Sequence, residues 1–275
     1  MDIYTEQLSI RFADIDQSDS LTIAATFDLF QEAANTHAEL LGVGRDMMQK
    51  TGQVWILSRL SVFMERRPRY REQVTVRSWP RGSNKLFAVR DYDIRTAGQS
   101  SSEPAAVRGR SAWLIVDLEK HRPLRPQSLV EQLPPNEGMD ALPGPNPGNE
   151  PPPSLASRFS ADAGKDFPRP APHCAAYSDI DYNGHVNNAR YIQWIQDLLD
   201  PALLAGAKQI RLDINYLSEV RYGETIGLYA ADIDGSCADT RGSPPACTSS
   251  LAVEGRRKTE EAEGAPVFRA ELRMG

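Results

Sequence analysis

The sequence predicts an α+β protein built from two like halves. A helical period of apolar residues, Ile23, Phe27, Phe30, Ala34, His37 and Leu41, precedes four runs rich in β-branched and aromatic residues. The same order of polar loop, helix and strands returns in the second half. Short stretches also match between the halves: Asp14-Ile15-Asp16 with Asp179-Ile180-Asp181, 165 residues on, and Arg69-Tyr70-Arg71-Glu72 with Arg221-Tyr222-Gly223-Glu224, 152 residues on. An amphipathic helix followed by antiparallel strands should lie across one face of their sheet. The chain therefore reads as a duplicated unit, a covalent version of a homodimer.

The first half, 1–125, opens with a strand over Ile3–Phe12 and a polar loop over 14–20. The helix follows and ends at Gly42 and Gly44, residues that tolerate the left-handed backbone of a helix C-terminus. Strands are predicted at Val54–Met64, Gln73–Trp79, Phe87–Ile94 and Val107–Val116, with a hairpin turn at Gly82-Ser83-Asn84. From 126 to 173 the periodicity stops. Eight prolines fall between Pro134 and Pro153, which reads as a semi-rigid linker. The second half, 174–275, has a helix from Asn188 that Asp200-Pro201 should stop, then strands at Gln209–Leu217, Glu224–Asp232, Thr248–Gly255 and Val267–Arg273.

Composition narrows the class. The chain has 275 residues, 40% of them hydrophobic and 25% charged, in the range of globular proteins. No apolar run approaches the roughly 18 residues that span a bilayer, so no membrane insertion is expected. A net charge of −6 argues against nucleic-acid binding. Cys174, Cys237 and Cys247 follow no metal or disulfide spacing, and no phosphate-binding glycine loop is present, so neither metal nor cofactor is expected. The first residues lack the basic and apolar regions of a secretory signal, and a reducing, cytoplasmic location is the expectation.

The chemistry concentrates between Asp181 and Trp194. Asp181, Asn183 and His185 alternate, which in an extended segment puts a carboxylate, an amide and an imidazole on one face. Gly184 suits a tight bend, and Asn187 or Asn188 can cap the helix that follows. The positive end of that helix can bind an anion or polarise a carbonyl. In the first half Asp16 aligns with Asp181, but Ser18 and Ser20 stand where the second half has Asn183 and His185. Only the second half is expected to be armed.

The pattern Asp-x-Asn-x-His-Val-Asn-Asn-x-x-Tyr-x-x-Trp, read over Asp181–Trp194, resembles the motif of the acyl-acyl carrier protein thioesterases of plastids and bacteria. Ser111-Ala112-Trp113 and His121-Arg122-Pro123 are similar to the end of that family's first unit. The resemblance implies a tandem (double) hot-dog, each unit an antiparallel sheet wrapped around a long helix. It also implies a catalytic glutamate, a position filled here by Glu219 in Asn215-Tyr216-Leu217-Ser218-Glu219. Plant members carry a cysteine next to it; here that residue is Val220, which argues against a cysteine nucleophile and for an activated water.

The implied substrate is a fatty acyl thioester on a phosphopantetheine arm, borne by acyl carrier protein or by CoA. Glu219 and His185 would activate the water, Asn183 would fix the water or the imidazole, and Asp181 would hold the loop. Backbone N–H groups of Val186 and Asn187 would face the thioester oxygen. Phe27, Phe30 and Trp55, with Leu57 and Leu60, are expected to wall an acyl tunnel. Arginines at 66, 67, 69 and 71, or the run Arg256-Arg257-Lys258, are candidates to dock an acidic carrier. A homodimer is the expected assembly. Rival readings are an acyl-CoA thioesterase, a hot-dog hydratase or dehydratase, and an acyl-binding protein without catalysis.

Overall fold

Thr22 starts the first helix: its Oγ1 accepts the N–H of Ala25 at 3.0 Å and satisfies one of the free donors of the first turn. Helix α1, Ile23–Leu40, turns Ile23, Phe27, Phe30, Ala33, Ala34 and His37 inward. It ends as the sequence predicts. Gly42, at φ +71°, donates to Glu39 O, and Val43 donates to Ala38 O, a left-handed C-terminal closure. Gly44 then starts a short helix that the sequence reading missed, α2, Arg45–Lys50.

The computed structural model describes residues 2–100, 103–126, 129, 133–142, 154, 171–233, 250–258 and 263–275. The chain divides into two compact units, Met1–Pro152 and Pro153–Gly275. In the first, strands β1 (Tyr4–Ser9), β2 (Gln53–Met64), β3 (Gln73–Asn84), β4 (Phe87–Thr96) and β5 (Val107–Asp117) form an antiparallel sheet in the order β1-β3-β4-β5-β2. A short β6 (Arg122–Leu124) pairs with β5. Phe30 of α1 stacks on Tyr92 of β4, ring centres 4.7 Å apart, and fills the space that Gly109 leaves beside it. The turn predicted at 82–84 lies one step later. Gly82 instead occupies a bulge in β3 at φ +90°, and the chain reverses at Lys85, φ +52°.

The second unit repeats this order. Strands β7 (Ala171–Cys174), β8 (Ile210–Tyr216), β9 (Thr225–Asp232), β10 (Ser250–Lys258) and β11 (Glu263–Met274) run β7-β9-β10-β11-β8, all antiparallel. Strand β7 fell within the expected linker because Ala-Pro-His-Cys shows no alternation; at a sheet edge the missing N–H of Pro172 is tolerated. Helix α3, Asn188–Gln196, is shorter than expected. Asp200 does not simply stop it but caps a second helix, α4 (Pro201–Gly206), by accepting from Ala202 N at 2.8 Å. Tyr191 and Trp194 of α3 are buried, and Tyr191 meets Tyr216 and Phe268 edge-on.

Of the stretch read as a linker, part belongs to the first unit. Trp79 Nε1 donates to Met139 O at 2.9 Å, and Asp140 accepts from Arg81 at 3.0 Å and from Arg110 at 2.8 Å. The N–H of Ala141 donates to Asp91 at 2.9 Å. These bonds cover the sheet face opposite α1 with a buried ionic layer, which a hydropathy reading does not reveal. Residues 143–153 and 155–170 of the expected linker lie outside the described residues, as do Cys237 and Cys247.

Candidate active site

Asp181 organises the loop. Its Oδ1 accepts the N–H of Asn183 at 2.8 Å, its own N–H donates to His185 O at 2.8 Å, and its O accepts from Gly184 N at 3.1 Å. Gly184 sits at φ +80°, where a side chain would strain the backbone. Residues 181–185 are thus a tight turn, not the extended segment that the alternation suggested. Short-range bonding from an Asx side chain outcompetes the strand conformation. Asn183 is exposed, its amide 3.4 Å from Asp181 Oδ2, and no hydrogen bond joins it to the imidazole among the described residues.

A second segment supplies the carboxylate. His185 bridges Arg221 in antiparallel register, and Val186 N donates to Val220 O at 2.8 Å. This lays 219–221 alongside 185–186 and brings Glu219 Oε2 to 3.1 Å from His185 Nε2. The His185 side chain is 24% exposed and that of Glu219 52%, so water reaches the pair. At this distance an imidazole and a carboxylate can hand a proton between them and hold one water together.

The backbone donors differ from expectation. The N–H of Val186 is spent on Val220 O and that of Asn187 on Asp179 O, also at 2.8 Å, so neither is available to an oxyanion. Asn187 is the helix cap, its Oδ1 accepting from Ala189 N at 2.9 Å. Asn188, the first residue of α3, has the N–H that finds no acceptor among the described residues.

Two supporting residues were not anticipated. Arg257 Nη2 donates to Glu219 O at 2.6 Å, and its Nε lies 3.2 Å from Glu224 Oε1. This arginine, expected to dock a partner, fastens the glutamate's backbone. Tyr191 is buried, which pushes its phenol far above the usual tyrosine range, and the negative charge of Glu219 acts in the same direction. The tyrosine of the sequence motif was a signal for it. The register of β10, which delivers Arg257, was not readable in advance.

The first unit carries the same turn without the pair. Asp16 N donates to Ser20 O, Asp19 N to Asp16 O, Leu21 N to Pro68 O and Thr22 N to Asp14 O, each matching a bond of the second unit. Ser20 replaces His185, and Arg67 stands where the 152-residue spacing puts Glu219. Arg67 donates to Asp16 Oδ2 at 2.7 Å and to Ser18 Oγ at 3.0 Å. An arginine ion pair thus fills the place of the imidazole–carboxylate pair, and the turn has no imidazole.

The expected acyl-tunnel residues separate. Trp55 lines an apolar pocket of the first unit, its Nε1 donating to Val43 O at 2.8 Å. Phe27 and Phe30 do not line it. They are buried between α1 and the sheet, because the helix presents its large apolar side chains to the strands.

Two family models match the chain: the acyl-ACP thioesterase N-terminal domain over residues 1–131 and the acyl-ACP thioesterase C-terminal domain over 172–261. The chloroplastic acyl-[acyl-carrier-protein] hydrolase FATB2 of Cuphea viscosissima is 26% identical over 225 residues, 79% of this chain and 52% of the relative. The chain thus spans about half the length of the curated relatives it first matches. Among solved structures, an acyl-ACP thioesterase from Bacteroides thetaiotaomicron superposes with a TM-score of 0.75 at 23% identity, covering 99% of this chain and 98% of that one. The 12:0-ACP thioesterase from Umbellularia californica superposes with a TM-score of 0.71 at 19% identity, covering 99% and 97%. The fold is the double hot-dog.

Proposed function

We propose, since this chain belongs to the acyl-ACP thioesterase family, that its second unit hydrolyses the thioester of a fatty acyl chain on acyl carrier protein, releasing fatty acid and thiol. The observation that carries this reading is the 3.1 Å approach of His185 Nε2 to Glu219 Oε2 in a water-accessible turn. Glu219 takes the proton of a water that His185 helps to orient. The resulting hydroxide adds to the thioester carbonyl carbon. Charge that develops on the carbonyl oxygen meets the N–H of Asn188 at the positive end of α3. The tetrahedral adduct then expels the thiolate, which recovers the proton. Asp181 and Asn183 serve as the turn that holds His185 in place.

The test is thiol release by purified protein. His185→Ala and Glu219→Gln should each lower kcat by about 10²–10⁴-fold with an unchanged circular dichroism spectrum. The double variant should be little worse than the poorer single one, because the two groups act on one proton. Turnover near the parent rate in both single variants would remove the mechanism.

Acyl-CoA is the second reading for the carrier. Most of the arginines expected to dock an acidic protein are already matched with carboxylates: Arg66 with Glu72, Arg67 with Asp16, Arg69 with Asp19, Arg256 with Glu254 and Arg257 with Glu224, while Arg71 lies over the Tyr70 ring. Comparison of kcat/KM on the same acyl group borne by each carrier decides; a preference for CoA would overturn the first. No helix among the described residues is long and apolar enough to cross a membrane. A cytoplasmic location is supported by Cys174, exposed and unpaired; alkylation of that thiol in intact cells tests it.

A further inference from the structure

Arg90 of β4 points toward α1 and is only 8% exposed. Its Nη1 lies 3.0 Å from His37 Nδ1 and 2.9 Å from Ser78 Oγ. A guanidinium can only donate, so His37 accepts through Nδ1 and brings no negative charge; Ser78 brings none either. The other buried arginines of this unit behave differently. Arg110 meets Asp91 at 2.6 Å, and Arg81 meets Asp140 at 3.0 Å. Arg90 has no carboxylate partner among the described residues, and its Nε and Nη2 have no acceptor there. Buried charges are ordinarily paired. Burial depresses the pKa of this group, the direction expected of a cation removed from water without a counter-ion.

Arg90 forms part of the wall of the apolar pocket described above. The rest of the wall includes Ala34, Ala38, Val43, Trp55 and Trp113, with Asn35 as the other polar member. Such a pocket suits a ligand with an apolar body and one charged end. The planar fork of a guanidinium fits a carboxylate in two parallel bonds. With one cation in the wall, a singly charged carboxylate matches better than a doubly charged phosphate.

We propose that the pocket of the first unit binds a carboxylate carried on an apolar chain, with Arg90 as its anion partner. This binding is proposed for the pocket of the first unit and does not depend on hydrolysis at the His185–Glu219 pair. Such a carboxylate has two sources: a free fatty acid, or an acyl chain that bears a second carboxyl group at its far end.

The test is calorimetric titration of the full chain with decanoate and with decanol, its uncharged counterpart. Decanoate should bind about tenfold or more tightly than decanol, the range expected of charge-assisted hydrogen bonds. Arg90→Met should abolish that preference, and Arg90→Lys should restore part of it. Equal affinity of the unmodified protein for decanoate and decanol would overturn the proposal, and that comparison stands even if Arg90→Met fails to fold. A retained preference in folded Arg90→Met would overturn it as well. A second arm separates the sources. If the far-end carboxylate is the ligand, thioesters of ω-carboxydecanoate lose more kcat/KM in Arg90→Met than decanoyl thioesters do. If the free acid is the ligand, the two thioesters lose alike while decanoate binding still requires Arg90. Failure of hydrolysis with intact decanoate binding would count against the thioesterase reading and leave this site standing.

Discussion

Glu219 is a half-exposed carboxylate on an irregular segment, and its position relative to His185 depends on what holds the backbone beneath it. Arg257 does so by donating to Glu219 O at 2.6 Å while paired with Glu224. Arg257→Met should therefore lower kcat about tenfold while KM changes little, since small displacements of a reacting group cost large factors. Steady-state kinetics on a folded variant check this; an effect confined to KM would return Arg257 to the role of partner contact. His185 was legible in the sequence because a histidine between a glycine and two asparagines at a helix start has few structural uses. Arg257 was not, because its value lies in a pairing between β10 and a loop far away in the chain. Trp55 lines a pocket, whereas Phe27 and Phe30 lie in the core; apolar residue type alone does not distinguish the two.

At the level of the element, the turn 181–185 and helix α3 form one device. Asp181 closes the turn, Gly184 supplies its left-handed residue, and Asn187 caps the helix. Gly184→Ala should cost about 1 kcal/mol, the ordinary penalty of a side chain in that backbone region. In a thermal melt this is a loss of about 2–4 °C, and kcat should fall with it as the imidazole loses its fixed place. No change in either would show that the turn does not constrain His185. The alternation of Asp181, Asn183 and His185 suggested a strand, but three local hydrogen bonds decided for a turn. A period of two over five residues is short evidence when the residues themselves can bond the backbone.

Over the whole molecule the chain is a duplication in which one copy keeps a clamp where the other has an imidazole–carboxylate pair. Arg67→Met removes the clamp on Asp16 and Ser18. It should lower the unfolding free energy by about 1–3 kcal/mol and leave thiol release unaltered. In the parent protein burial alone would raise the Asp16 carboxyl, but hydrogen bonds from Ser18 and Arg67 outweigh it and hold the group below its usual range. A depressed folded pKa contributes stability that is present above the unfolded value and fades as pH falls through the folded one. Loss of Arg67 should therefore move the acid unfolding limb to higher pH; a melt series against pH reads it, and an unmoved limb would deny the clamp. The sequence by itself determined the doubled helix-and-strand order, the position of α1 and its glycine end, and the loop that bears His185, because period, capping and turn chemistry act over a few neighbouring residues. Only the tertiary structure decided that Glu219 stands beside His185, that Val186 and Asn187 have no spare N–H, and that Arg90 is buried without a counter-charge. Those facts follow from strand register and burial, which are set by contacts between residues distant in the chain.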